Sequence, residues 1–189
     1  VNGATVTHNY AGELTNYNGK SYGWEGRNLT SVTEGNKRIE LTYDGLSVKR
    51  NKAIFVGEEE RYFVRYLYGN GKLYGEKIAD WYNDKYYEIT YTYNQQGVSG
   101  ILFAKRESLI GAQTTTSYTY RKNLFGDITE IYNGATCVAK YKYDAWGNCT
   151  ITLNTRNYGT NNPFRYRGYY YDNDLEMYYL MSRYYDLSQ

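Results

Sequence analysis

Ala139-Lys140-Tyr141-Lys142-Tyr143-Asp144-Ala145-Trp146-Gly147-Asn148 is the stretch that decides the fold. Side chains along a strand point to alternate faces. Ala139, Tyr141 and Tyr143 therefore share one face, and Lys140 and Lys142 share the other. The strand must then reverse after Asp144-Ala145-Trp146, and Gly147 stands where a reversal needs positive φ or a close backbone approach.

Working outward, the same unit recurs: aromatic, any residue, aromatic, then a turn containing glycine. It reads Tyr22-Gly23-Trp24 before Gly26, Leu41-Thr42-Tyr43 before Gly45 in a weaker copy, and Tyr66-Leu67-Tyr68 before Gly71. It returns as Tyr91-Thr92-Tyr93 before Gly97, Tyr118-Thr119-Tyr120 before Gly126, the Tyr141–Asn148 copy, and Phe164-Arg165-Tyr166 before Gly168. The second aromatics stand at 24, 43, 68, 93, 120, 143 and 166, in steps of 19 to 27 residues. A period of that size means one supersecondary unit per repeat, here two short strands and two turns. No single unit buries its aromatic face, so neighbours must stack in chain order.

Between these runs lie Asn2-Gly3, Asn18-Gly19, Asn70-Gly71, Asn133-Gly134 and Asp44-Gly45, pairs that tolerate the positive φ of type I′ hairpin tips. Tyr86–Tyr93 and Ser117–Tyr120 are rich in Tyr, Thr and Ile, which suit a half-buried pleated surface. The best helix candidate, Gly57 to Leu67, reads instead as a turn into a strand, because Tyr62-Phe63-Val64-Arg65-Tyr66 follows its acidic run. The expectation is an all-β chain of consecutive antiparallel hairpin strips forming a curved, twisted sheet, with no helix longer than two turns.

Composition agrees. In 189 residues there are 27 Tyr, 3 Trp and a single Pro. The core such a chain builds is aromatic and amphipathic. With 22 basic and 20 acidic residues the net charge is +2, too balanced for nucleic-acid binding through phosphate neutralisation. No apolar run of about 18 residues is present to span a membrane, and Val1 to Leu14 lacks the basic start and apolar stretch of a signal peptide. A chain starting at Val reads as a fragment or a processed product. Cys137 and Cys149 lack zinc spacing, and a bridge between them is the minority reading.

The repeat resembles the YD repeat of the RHS (rearrangement hotspot) family: Tyr-x-Tyr-Asp, two or three residues, Gly, x, Leu or Ile, then a β-branched residue. Tyr141–Asn148 matches it closely. Gly126–Ile131 and Trp24–Val32 look like parts of other copies. The tail is more specific. Asn162–Asp172, with Phe164-Arg165-Tyr166-Arg167-Gly168-Tyr169-Tyr170-Tyr171-Asp172, resembles the RHS-repeat-associated core, as does Met177–Asp186, with Arg183-Tyr184-Tyr185-Asp186. Glu176-Met177 replaces the usual Gly-Leu, and the chain reads Leu187-Ser188-Gln189 where the family continues into an Asp-Pro motif tied to aspartyl self-cleavage. That apparatus transfers to no residue here. The resemblance implies a β-sheet that spirals into a hollow shell around a toxic C-terminal domain, or a rigid extracellular body in adhesion relatives. This chain looks like a final wall segment of one.

Chemistry is sparse. His8 is the single histidine, in a polar stretch, and reads as an exposed edge residue. No clustered ligands suggest a metal, no glycine motif suggests a phosphate or cofactor site, and an Asp172/Asp174 glycosidase pair is of a kind expected by chance among 20 carboxylates. Tyr178-Tyr179 and Tyr184-Tyr185 read as core packing before they read as sugar- or base-stacking platforms. Asn28-Leu29-Thr30 and Asn148-Cys149-Thr150 are formal sequons without meaning in a bacterial protein.

The resulting reading is a non-catalytic wall segment without cofactor: an N-terminal edge segment over 1–19, hairpin repeats over 20–161 and the core-like tail over 162–189. Its residues of interest are structural: Tyr66, Tyr68, Tyr91, Tyr93, Tyr118, Tyr120, Tyr141, Tyr143, Asp144, Trp146, Gly147, Tyr166, Gly168, Tyr171, Asp172, Arg183, Tyr184, Tyr185 and Asp186. Expected partners are the rest of its own shell and an enclosed toxic or adhesive domain, without nucleic acid or membrane insertion. The protein is expected to be secreted, surface-bound or delivered by a secretion system. The alternative is a carbohydrate- or cell-wall-binding module using exposed tyrosines, a flavour carried by Leu67–Trp81. Two uncovered sheet edges and an exposed tyrosine face lead to an expectation of self-association.

Overall fold

The structure, a computed structural model, describes residues 6–106, 111–181 and 183–186. Fourteen strands lie side by side in chain order in one antiparallel sheet. They are β1 (Thr7–His8), β2 (Leu14–Tyr17), β3 (Lys20–Glu25), β4 (Asn28–Glu34), β5 (Lys37–Tyr43), β6 (Lys49–Val56) and β7 (Glu59–Gly69). Then come β8 (Lys72–Asp80), β9 (Lys85–Asn94), β10 (Gly97–Arg106), β11 (Gln113–Lys122), β12 (Ile128–Asn133), β13 (Thr136–Tyr143) and β14 (Cys149–Asn154). The tail adds α1 (Tyr158–Asn161) and a second sheet of β15 (Tyr170–Asp172), β16 (Met177–Tyr179) and β17 (Tyr184–Asp186). Among the described residues α1 is the longest helix, four residues, so the all-β expectation stands.

Two kinds of turn join the strands. Asn18-Gly19 and Asn70-Gly71 form two-residue tips with positive φ at both positions, as expected of type I′ turns. The second kind is a five-residue loop led by Asn or Asp. In Asp144–Asn148, the Asp144 carboxylate accepts the backbone N–H groups of Trp146 and Asn148 at 2.9 Å, and Gly147 sits at φ 97°. Asn123 does the same for Phe125 and Asp127, and Asn9 for Ala11 and Glu13. Asp44 belongs to this second kind, which corrects its reading as an Asp-Gly tip. Its carboxylate accepts from Leu46 and Val48, and Ser47, not Gly45, carries the positive φ. At Asn133-Gly134 the two-residue loop is Gly134-Ala135, and Gly134 alone of the three takes positive φ. Asn2-Gly3 lies outside the described residues.

The pairings of β3–β4, β5–β6, β7–β8, β9–β10, β11–β12 and β13–β14 each contain a one-residue register shift. In the first four it falls beside the second aromatic. A bulge adds local right-handed twist, and its repetition curves the sheet. It also changes which residues face inward. In β4 the buried pair is Leu29 and Val32, three apart rather than two, and in β12 it is Ile128 and Ile131.

In four of the hairpins the second aromatic stitches its strand to the one before, whereas the Tyr120 hydroxyl goes to Asn162 of the tail. Trp24 donates to the Leu14 carbonyl, Tyr43 to Leu29, Tyr93 to Leu73 and Tyr143 to Ile128, at 2.6–2.8 Å. An aromatic long enough to cross one strand and end in a donor satisfies both the core and a backbone acceptor, which accounts for its return once per unit.

The tail folds back over the inner face. Leu175 and Met177 enter the core of β3–β6, and Phe164 enters that of β7–β13. The tyrosine face expected to stand exposed is thus largely covered by the chain itself. Phe164-Arg165-Tyr166 with Gly168 is not a further hairpin: Phe164 makes one isolated bridge to Tyr170, and Tyr166–Gly168 is a 3-10 turn. Cys137 and Cys149 are both free thiols.

Candidate functional site

The polar centre of the molecule lies where the tail meets β6 and β8. The five hairpins whose second strands are β4, β6, β8, β10 and β12 each place two residues, three apart, on the inner face of that strand. They are Leu29 and Val32 in β4, Leu73 and Glu76 in β8, Val98 and Ile101 in β10, and Ile128 and Ile131 in β12. In β6 both positions are lysines, Lys49 and Lys52, with the bulge between them at the Thr42/Tyr43 step of the partner strand. Three charged groups thus occupy positions that the other hairpins give to aliphatic side chains.

They are buried. Lys49 is 0% exposed, Glu76 3% and Asp172 of β15 1%. The Asp172 carboxylate takes Lys52 Nζ at 2.7 Å on Oδ1 and Lys49 Nζ at 3.5 Å on Oδ2. The Asp174 backbone N–H adds a bond to Oδ1 at 3.2 Å. Lys52 also meets the Asp174 carboxylate at 2.8 Å. Lys49 Nζ lies 4.4 Å from the ring centres of Tyr66 and Tyr179, 5.2 Å from Tyr170 and 5.5 Å from Tyr184. Four electron-rich rings around one ammonium replace part of its lost hydration. Glu76 accepts a hydrogen bond from the Tyr91 hydroxyl at 2.7 Å.

Burial sets the electrostatics. It pushes the Lys49 ammonium down to about 8, against the pull of Asp172. It also pushes the Glu76 carboxyl up, an effect the Tyr91 hydrogen bond and the lysines only partly offset. At Asp172 burial acts upward too, but Lys52 and Lys49 outweigh it and bring the group down to about 2. Lys52, with two carboxylates, is held well above its ordinary value despite its burial. The Asp172/Asp174 carboxylates, set aside above as a chance pairing, both bind Lys52, and Asp172 binds Lys49 as well.

The repeat-defining residues are distributed as follows. Tyr66, Tyr91, Tyr118 and Tyr141 are buried in the inner face, and Tyr68, Tyr93, Tyr120 and Tyr143 pack against them. Tyr120 donates to Asn162 Oδ1 of the tail and Tyr141 to the Gly159 carbonyl. Tyr166 packs between Tyr143 and Tyr178, and its hydroxyl reaches the Ala145 carbonyl. Tyr185 donates to the Trp146 carbonyl and Tyr178 to that of Gly147, so three tail tyrosines clasp the Asp144 loop. Gly168 takes φ 67° in its turn, as expected. The Tyr171 ring lies beneath the buried Arg165 guanidinium, which binds the carbonyls of Thr160 and Asn162 and the Asn173 side chain. The site brings Tyr66, Tyr91, Asp172 and Tyr184 together. Trp146 is 72% exposed and Arg183 is exposed, so neither side chain joins the core; Asp186 ends β17 on the pocket lined also by Lys20 and Glu176. Lys49, Lys52, Glu76 and Arg165 were missed. For Lys49, Lys52 and Glu76 the signal is a charge at a repeat position otherwise aliphatic, concealed because charged side chains read as outward-facing; Arg165 lies in the tail, outside the repeat register.

No family model matches the chain. Two curated relatives align with 98% of it: the tRNA3(Ser)-specific nuclease WapA of Bacillus spizizenii at 31% identity and the tRNA nuclease WapA of Bacillus subtilis at 32%. The crystal structure of TcdB2-TccC3-Cdc42 shares the fold with a TM-score of 0.69, over 89% of this chain and 8% of that one, at 16% identity. The structure of TcdB2-TccC3 without its hypervariable C-terminal region gives 0.56 at 14% identity. The chain belongs to the RHS/YD-repeat family. It spans 8% of the length of those two WapA relatives. The covered inner face and the docked tail are the RHS core segment seen from within.

Proposed function

We propose that this chain is a non-catalytic wall segment of an RHS/YD-repeat shell that encloses or presents a toxic or adhesive domain, in a protein that is secreted, surface-bound or exported by a secretion system. The observation that carries this reading is the strand order. Fourteen strands run side by side in chain order, four of the hairpins tied to their predecessors through the second aromatic, an arrangement that lengthens by adding repeats. The WapA relatives are far longer and are named as tRNA nucleases. A wall segment of such a protein leaves that chemistry to another part. The repeat tyrosines are spent on core packing and on backbone acceptors, which argues against their use as a carbohydrate platform.

Two measurements test the proposal. Purified chain incubated with total tRNA and magnesium should leave the tRNA intact; cleavage that a substitution in this chain abolishes refutes the non-catalytic role. In a polypeptide joining this chain to the remaining wall and its cargo, trypsin should spare the cargo. Digestion as fast as that of free cargo refutes enclosure.

A further inference from the structure

We propose that Lys49 and Asp172 condense into an intramolecular isopeptide bond that staples the tail to the sheet. The inference concerns the docking of β15 on β6 and does not depend on the shell reading.

The geometry supplies each part such a step needs. The nucleophile, Lys49 Nζ, is 3.5 Å from Asp172 Oδ2, fully buried and held by four tyrosine rings, so that it has no conformational freedom to lose. Holding the two groups in contact removes the entropic cost of bringing them together. The electrophile, the Asp172 carboxyl, has its other oxygen fixed by the Lys52 ammonium at 2.7 Å and the Asp174 N–H at 3.2 Å. Those donors meet the negative charge that develops on Oδ1 as nitrogen attacks carbon. Burial favours the neutral amine at Lys49, the form that attacks.

The atoms balance without a co-reactant. Lys49 gives one proton to Asp172 Oδ2, the oxygen 3.5 Å away, leaving an amine and an acid. The amine nitrogen bonds to Cγ and the C=O electrons move to Oδ1. The nitrogen's second proton passes to the same Oδ2, the Cγ–Oδ2 bond breaks, and water leaves. An ammonium and a carboxylate become one amide and one water, with no net proton change. Lys52 remains an ammonium, because Asp174 holds it.

The same placement explains why charges stand at aliphatic repeat positions. An ion pair this deep gives little net stability over an apolar core, whereas a covalent tie between β6 and the tail, 123 residues apart in sequence, closes a long loop.

Intact-mass spectrometry of the full chain tests the proposal. The expected mass is lower than the sequence mass by one water, with a tryptic peptide in which Lys49, uncut, is joined to the peptide holding Asp172. Lys49→Arg and Asp172→Ala should each restore the full mass. The full sequence mass in folded wild-type chain overturns the proposal. So does a water loss that maps to a succinimide at Asp172 or to a Lys52–Asp172 link. The wild-type measurement stands even where a variant fails to fold.

Discussion

Gly147→Ala offers a direct measure of how the tail bears on the repeat array. Gly147 sits at φ 97°, and a Cβ there would lie 2.6 Å from Tyr166 Cδ1 and 2.9 Å from Cγ. Gly126 occupies the same place in the Asn123 loop, at φ 88°, but its added Cβ would meet nothing closer than the Arg167 carbonyl at 4.0 Å. Both substitutions force an L-residue to positive φ, at about 1–2 kcal/mol. Only Gly147→Ala also drives an atom into a ring pinned between Tyr143 and Tyr178 and bonded to Ala145. Overpacking of that kind adds about 1–3 kcal/mol. Gly126→Ala should therefore cost about 1–2 kcal/mol and Gly147→Ala about 2–5, read from urea midpoints at constant slope. Equal losses at the two sites would show that Tyr166 is not seated on the Asp144 loop, and the account of the tail as a clasp would fail.

The loop chemistry makes a second comparison. Asn123 and Asp144 play the same role, so Asp144→Asn should keep the urea midpoint near wild type, whereas Asp144→Ala should lower it. Hydrogen bonds hold both loop carboxyls below the ordinary 3.8: chiefly the Val48 backbone at Asp44, and the Asn148 side chain at Asp144. A depressed carboxylate stabilises fully above its unfolded value and loses that effect as pH falls through the folded one; acid should thus lower the midpoint, and less so in Asp144→Asn. Tyr143→Phe and Tyr93→Phe each remove a donor from a strand carbonyl and should cost about 0.5–1.5 kcal/mol. Tyr68→Phe should be neutral or stabilising, because its buried hydroxyl has no hydrogen-bond partner among the described residues; a loss equal to that of Tyr143→Phe would refute the stitching scheme. Leu175→Ala, at a side chain 2% exposed, should cost about 2–5 kcal/mol and speed tryptic release of the tail, seen by mass spectrometry.

The sequence by itself determined the strands, their order and most turns, because those depend on local physics. Alternation in Ala139–Tyr143 sets the faces, Asn18-Gly19 admits the backbone twist of a tight hairpin, and repetition of the aromatic pair makes neighbours stack in sequence. The chemistry of Asp144 and Gly147 is equally local, and so was legible. Asp44-Gly45 was misread because a five-residue loop and a two-residue tip can share the same dipeptide, and the choice depends on register. Only the tertiary structure decided what fills the inner face. A bulge inverts the alternation beyond it, so Lys49 and Lys52 both turn inward, which no simple period announces. Their burial is tolerable because the tail arrives to oppose them: Asp172, 123 residues from Lys49, on β15, with Asp174 on Lys52 and tyrosine rings around Lys49. Pairing across that distance depends on the curvature of the whole sheet and the return of the tail, neither of which is written in any single segment.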